Sequence, residues 1–286
     1  MTRTILITGA SSGFSRNTAE KLAGAGHRVF ATMRDVAGRN RSHADALRSR
    51  KISVVELDVT DDGSVNRAIA SILAEAGNIS VLVNNAGIAS AGVTEAFTTD
   101  QAKAIFDTNV IGLLRVTRAV LPSMRQKHDG LIINIGSILG RVTFPFFGIY
   151  GASKMAVEAL TDSLRLEVSR LGVEVVAVQP SAYPTNMYSS IQTPADADIT
   201  KSYGEIGQIP DAMFKTFMSM FQAKDAPNPH DIAEAIVKLV EQAKGRRAAR
   251  TVVGTAFGAD KINADVAPVQ QAVVGGLGLG HLEELA

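Results

Sequence analysis

The residues Thr4 to Thr8, all apolar or β-branched, run into Gly9-Ala10-Ser11-Ser12-Gly13-Phe14-Ser15 and then into a helical pattern that continues through Ala25. No other stretch restricts the fold as severely. A strand that ends in a glycine turn and resumes as a helix gathers backbone N–H groups and the positive end of a helix dipole at one point. Glycine lets a ligand approach that backbone closely. The arrangement is a cradle for an anion such as a pyrophosphate. A glycine-rich turn alone is a weak signal, so the context must decide.

That context is alternation. Arg28 to Thr32, Val54 to Leu57, Ser80 to Val83 and Leu131 to Ile135 read as short apolar strands separated by helix-period segments. Alternating strands and helices predict an α/β chain, a doubly wound and mostly parallel sheet of about seven strands with helices on both faces. The hydrophobic content of 46% can cover both faces of such a sheet. No Pro/Gly/Ser-rich linker interrupts the alternation before residue 180 and no internal repeat is present, so residues 1–286 read as a single Rossmann-type domain.

Leu131 to Ile135 is bounded by Gly130 and Gly136, which places Ser137 at the carboxyl end of a strand, where open parallel sheets bind ligands. Tyr150 and Lys154 follow, four apart, on one face of an expected helix. Serine, tyrosine and lysine in that order suit proton transfer to or from an alcohol or carbonyl oxygen. A free tyrosine has a pKa near ~10, so action as a base near neutrality needs a drop of roughly three units, about 4 kcal/mol. One ammonium about 4 Å away at an effective dielectric near 20 supplies about 4 kcal/mol. Lys154 is therefore expected to lower the Tyr150 pKa, helped by any second positive charge nearby. A plainer reading makes Ser137 the cap of a turn and Tyr150 an ordinary helix residue.

With the turn, the alternation and these three residues in place, the chain resembles the classical short-chain dehydrogenase/reductase family from about Thr4 to beyond Thr185. Thr8 to Ser15 looks like the family's T-G-x-x-x-G-x-G cofactor turn with its last glycine replaced. The resemblance assigns Gly9, Ser11, Ser12, Gly13 and Phe14 to the dinucleotide. It assigns Asp58 and Val59 to the adenine, and Asn85, Ala86 and Gly87 to the N-N-A-G segment. Asn109, in the helix beginning near Thr99, is similar to the asparagine that anchors a water leading to the lysine. Ser137, Tyr150 and Lys154 are similar to the catalytic serine, tyrosine and lysine, the last two also touching the cofactor. Pro180 and Thr185 resemble the segment beside the nicotinamide. A homo-oligomer, dimer or tetramer, is implied too.

Two residues depart from the pattern. Ser15 replaces a glycine; serine is small and a favoured helix N-cap, so the turn is expected to survive. Ser181 also stands in place of a glycine, and strain is expected there if that glycine needs a positive φ. The cofactor itself is argued from the end of the second strand. An acid there bonds a ribose 2′-hydroxyl, whereas an arginine accommodates a 2′-phosphate. Met33 occupies the acidic position and Arg34 follows. NADP(H) is favoured and NAD(H) remains possible, with Asp35 able to swing toward a hydroxyl.

A net charge of +1 argues against a broad nucleic-acid footprint. Zero cysteines exclude disulfides and thiol catalysis and fit a cytoplasmic enzyme. The five histidines lack ligand spacing, so no metal site is expected. No run approaches the ~18 apolar residues of a membrane span.

Beyond Thr185 the sequence becomes individual. Residues 186–223 read as a substrate lid, polar and turn-rich first, then an apolar helix with Phe217 and Phe221. Ser137, Leu139, Phe147, Tyr183, Phe217 and Phe221 are the candidate substrate contacts, in an adaptable, mostly apolar pocket. Residues 265–286, with the glycine-rich run Gly275 to Gly280, read as an extended C-terminal arm over a neighbouring subunit or the cleft. The function expected is hydride transfer between NADP(H) and a carbonyl or secondary alcohol on a small molecule. NAD-dependent alcohol oxidation and a non-catalytic nucleotide-binding regulator with the same fold are the alternatives.

Overall fold

The computed structural model describes residues 2–286. Its framework alternates β1 (Thr4–Ile7), α1 (Gly13–Gly24), β2 (Arg28–Met33), α2 (Arg41–Arg48), β3 (Ser53–Glu56), α3 (Asp62–Ala76) and β4 (Val81–Asn84). It continues through α4 (Thr99–Phe106), a π-helical turn at Asp107–Ile111, α5 (Gly112–Lys127), β5 (Gly130–Ile135), α6 (Gly148–Ser169) and β6 (Val173–Pro180). The last part holds α7 (Ala197–Ser202), α8 (Ile209–Gln222), α9 (His230–Glu241), β7 (Arg250–Val253) and α10 (Ala259–Gly276).

All seven strands join one parallel sheet in the order β3-β2-β1-β4-β5-β6-β7. Side chains alternate across it, as a two-residue repeat requires. Ile5 and Ile7 pack beneath α1, α2 and α9 through Leu22, Leu47 and Ile236, while Leu6 points the other way toward Ile69 of α3 and Val120 of α5. Both faces are dry, which is why the strands read as nearly unbroken apolar runs. Local signals set the helix ends. Asp61 caps α3 by accepting from Ser64 N, Gly77 ends it at φ +77°, and Thr98 and Gln101 form a reciprocal capping box on α4. The order of the sheet reverses direction between β1 and β4, so the crevice above their carboxyl ends is the place for a ligand.

Two expectations need correction. The carboxyl-terminal segment is not an extended arm: residues through Gly276 complete α10, and the glycines that follow turn the chain back. Ala286 N donates to Ser169 O, and Ser169 Oγ donates to Leu282 O at 2.6 Å, so the tail lies on the end of α6 in its own chain. The irregular first half of 186–223 also contains a helix, α7, started by Asp196, whose carboxylate accepts from Asp198 N and Ile199 N. In the second half α8 has no buried residue.

Candidate active site

At the carboxyl end of β1 the turn is fixed by contacts rather than by loop length. Gly9 has φ +68°, and a Cβ there would stand 2.9 Å from Ala86 Cα, so glycine is required twice over. Thr8 joins the two neighbouring turns: its Oγ1 accepts from Asn85 N and Ala86 N, each at 3.0 Å. Ser15 is not the helix cap expected of it. Ser12 occupies that position with extended backbone, and the fully buried Ser15 donates its hydroxyl to Gly9 O at 2.6 Å. The serine that replaces glycine therefore laces the turn together. No acid lies in the first turn of α1 to oppose an anion.

This turn opens one end of a cavity of about 540 Å³. Gly9, Ser11, Ser12, Gly13 and Phe14 border it at the β1 end, and Arg34, Asp58 and Val59 border it beyond β2 and β3. Asn85, Ala86 and Gly87 line its floor; Pro180 and Thr185 line the side nearest β6. The cavity thus spans the switch point, with the glycine turn and the start of α1 at one end and Arg34 beyond β2. These residues fit a nicotinamide dinucleotide.

Ser137, Tyr150 and Lys154 meet at the far end of the same cavity. Ser137 lies two residues past the end of β5, and its Oγ accepts from Leu139 N at 3.1 Å, so it caps the following turn as well as facing the cavity. Lys154, 5% exposed, donates to Ile135 O at 2.8 Å, and its Nζ lies 5.7 Å from the Tyr150 ring centre. The expected lowering of the Tyr150 pKa is reversed in this state. Burial pushes the phenol well above its ordinary range, with the facing Tyr188 adding to the rise and Ser137 acting against it. Burial also pulls Lys154 down to about 8. Desolvation is the largest cause of both shifts, and the sequence-based charge balance left it out.

Asn109 lies in the π-helical turn and does not border the cavity. Its Oδ1 accepts from Ile88 N at 2.8 Å, while its Nδ2 donates to Ile88 O and, at 3.0 Å, to Ser153 Oγ. The side chain clamps the loop after β4 to α6, and so positions Tyr150 and Lys154 on that helix. Beneath it, Asn84 Nδ2 donates to Asn134 Oδ1 and Asn134 Nδ2 donates to Thr161, a buried polar tie across β4, β5 and α6.

Among the candidate substrate contacts, Leu139, Phe147 and Phe217 line the cavity, and the Phe147 and Phe217 rings meet edge to face at 6.4 Å. Phe221 lies outside the lining and packs on Tyr188 at 4.8 Å. Tyr183 also borders the cavity, but it is only 1% exposed and packs edge-on to Phe14 at 5.7 Å, so it belongs mainly to the core beneath the turn. Ser181 has no positive φ, so the expected strain is absent. Its room comes from Gly254, where a Cβ would stand 2.2 Å from Ser181 Oγ.

Among the residues that line the cavity, sequence reasoning did not single out Arg39 or Tyr188. Arg39 borders the cavity beside Arg34, at the end beyond β2 and β3. Tyr188, half-buried and between Phe217 and Phe221, carried no signal beyond its residue type.

The model of the short chain dehydrogenase family matches residues 3–196. The chain belongs to the short-chain dehydrogenase/reductase family. It is 34% identical over 251 residues to a 3-ketodihydrosphingosine reductase of Bacteroides thetaiotaomicron, covering 87% of each chain. A solved actinorhodin polyketide ketoreductase with NADPH superposes at TM-score 0.73, with 27% identity over 90% of this chain and 97% of that one. A 3-ketoacyl-(acyl-carrier-protein) reductase from Brucella melitensis, complexed with NADH, superposes equally well at 0.73, with 26% identity over 88% and 96%. This short-chain dehydrogenase is accordingly an oxidoreductase of carbonyl and alcohol groups that uses a nicotinamide dinucleotide. Among the described residues no helix is long and apolar enough to cross a membrane.

Proposed function

We propose that this enzyme reduces the carbonyl of a mostly apolar small molecule with NADPH, Tyr150 giving the proton. The carrying observation is the setting of Tyr150: 8% exposed, packed with Ala89, Ile138 and Leu139, and rimmed by Phe144, Phe147, Met187 and Ile191. A phenol held protonated in a dry apolar pocket is a proton donor before it is a base. Bound nicotinamide supplies the hydride in reduction and accepts it in oxidation. Ser137 donates to the substrate oxygen and holds it against Tyr150. Lys154 contacts the ribose and keeps a positive charge within one turn of the phenol, and Asn109 fixes α6 so that both stay in register. Residues 186–223 close over the substrate, Phe217 meeting it from above and Phe147 from the side.

NADPH is preferred on the evidence of a second, smaller depression lined by Arg34, Asp35, Arg39, Glu56 and Asp58. Two guanidinium groups flank it, and guanidinium forks onto phosphate. Asp35 supports the same reading, because its carboxylate already accepts from Arg39 N at 3.0 Å within its own turn. Asp58 and Glu56 keep an NAD-dependent reading open, since either carboxylate could take a diol. The exposed Ile111 and Met155, near the start of α5 and on α6, offer a face for a second copy, and we place the resulting homo-oligomer in the cytoplasm. A panel of apolar ketones and alcohols, followed at the nicotinamide absorbance with both cofactors, tests the reading. Ketone reduction faster with NADPH than NADH is expected; turnover with NADH alone, or only of polar sugars, would overturn it.

A further inference from the structure

One turn beyond Lys154 on α6 lies Glu158, a carboxylate only 2% exposed. A charge this deep persists only with partners. Its Oε1 accepts from Gln179 Nε2 at 2.9 Å. Its Oε2 accepts from Arg250 Nε at 2.9 Å and faces the Arg141 guanidinium at 3.4 Å. Asp162, the next residue on this stripe, also accepts from Arg250 and lies 3.8 Å from Arg141. Two acids of α6 and two arginines, one from the turn after Ser137 and one from β7, close into a single cluster behind the cavity.

The backbone around Ser137 is shaped to this carboxylate. A Cβ on Gly136 would stand 2.8 Å from Glu158 Oε1, and one on Gly140 would stand 2.9 Å from Glu158 Cγ. Gly136 separates Ile135, whose carbonyl receives the Lys154 ammonium, from Ser137 itself. Gln179, the other partner of Glu158, immediately precedes Pro180 on the cofactor side and accepts from Asn263 of α10 at 2.7 Å. Glu158 thus touches the segment that carries the serine and stands on the same helix stripe as the tyrosine and the lysine.

We propose that Glu158 is a positioning residue that holds Lys154 in its ammonium form and seats the Ile135-Gly136-Ser137 corner. Lys154 makes its hydrogen bond to Ile135 O, so Glu158 acts on it through its field and leaves the ammonium aimed at the cavity. Glu158 is the charge that opposes the downward pull of burial on Lys154. Arg141 and Arg250 face Glu158 from the far side and weaken that field, Asp162 offsets them, and Tyr188 faces Tyr150 from the segment above. The carboxylate is therefore required twice, to neutralise the arginines and to keep a proton on the lysine.

The proposal rests on the roles given to Tyr150 and Lys154, so its experiment includes a readout independent of turnover. The full chain labelled with ¹³Cε-lysine is titrated by NMR, the Lys154 resonance being the one missing from Lys154→Met. In Glu158→Gln the Lys154 midpoint is expected to fall by about one pH unit, the low end for loss of a nearby opposite charge. Ketone reduction should fail at correspondingly lower pH, and Glu158→Asp should recover part of both shifts. If Glu158→Gln does not fold, the charge-balanced Glu158→Gln/Arg250→Met pair is titrated instead, with a smaller fall expected. An unmoved midpoint in either folded variant overturns the proposal. A midpoint that moves while the pH profile of reduction stays put supports the hold of Glu158 on Lys154, and counts against the part played by Lys154 in turnover.

Discussion

The turn after β1, proposed to hold the cofactor, and residues 186–223, proposed to cover the substrate, are built on opposite principles. Around β1 no large side chain is exposed, and the turn is fixed by Thr8, Gly9, Ala86 and Ser15 through backbone contacts. In α8 the position is reversed: no residue is buried, and Phe214, Met218 and Met220 are 36–48% exposed. A phosphate is recognised by N–H groups that must already be in place, because reorganising them would cost the affinity they provide. An apolar substrate needs only surface that can close around it. The two regions should therefore respond differently to substitution.

The largest effect should come where they meet. Tyr150→Phe keeps the ring and removes the proton donor, so turnover should fall by about 10²–10⁴-fold while cofactor affinity is retained. Near wild-type activity would remove the tyrosine from the chemistry.

Gly9→Ala probes the rigidity of the cradle. With φ +68° and Ala86 Cα in the way, stability should drop by about 1–3 kcal/mol, with a parallel loss of cofactor binding by calorimetry. An unchanged melting temperature would mean that the cradle yields as readily as the lid.

Charge at the ribose end comes next. Arg34→Ala or Arg39→Ala should each weaken NADPH binding by roughly 1.5–3 kcal/mol and leave NADH almost unchanged. Equal losses for the two cofactors would show that neither arginine reads a 2′-phosphate.

The smallest effect is expected in the lid. Phe217→Ala should change the ranking of apolar ketones by several-fold without touching NADPH affinity, whereas Phe221→Ala, one layer back against Tyr188, should change it less. Hydrogen exchange across 186–223 should be fast in the free protein and slow once cofactor and ketone are both bound. Exchange as slow as in the sheet would erase the contrast between the two regions.

Much of this was legible in the sequence because it depends on neighbours along the chain. Strand, glycine turn and helix follow one another directly, and Tyr150 and Lys154 share a helix face by spacing alone. The alternation of short apolar strands with helices carried the parallel sheet, since buried strands show their burial in composition. The glycine run near the carboxyl terminus misled for the same reason: Gly275 and Gly276 lie within the last turn of α10, held there by the packing of the tail on α6.

Tertiary structure decided what depends on distance through space. The hydroxyl of Ser15 compensates for a missing glycine only because Gly9 O lies 2.6 Å away, and Ser181 fits only because Gly254 makes room. Arg39 reaches the cavity beside Arg34 through a turn closed by Asp35, and Glu158 finds its two arginines on elements far along the chain. Most of all, the direction of the Tyr150 shift follows from burial on every side. Local spacing brings the lysine near the tyrosine, but desolvation is summed over all that the fold packs around them, and that sum appears only when the chain is closed.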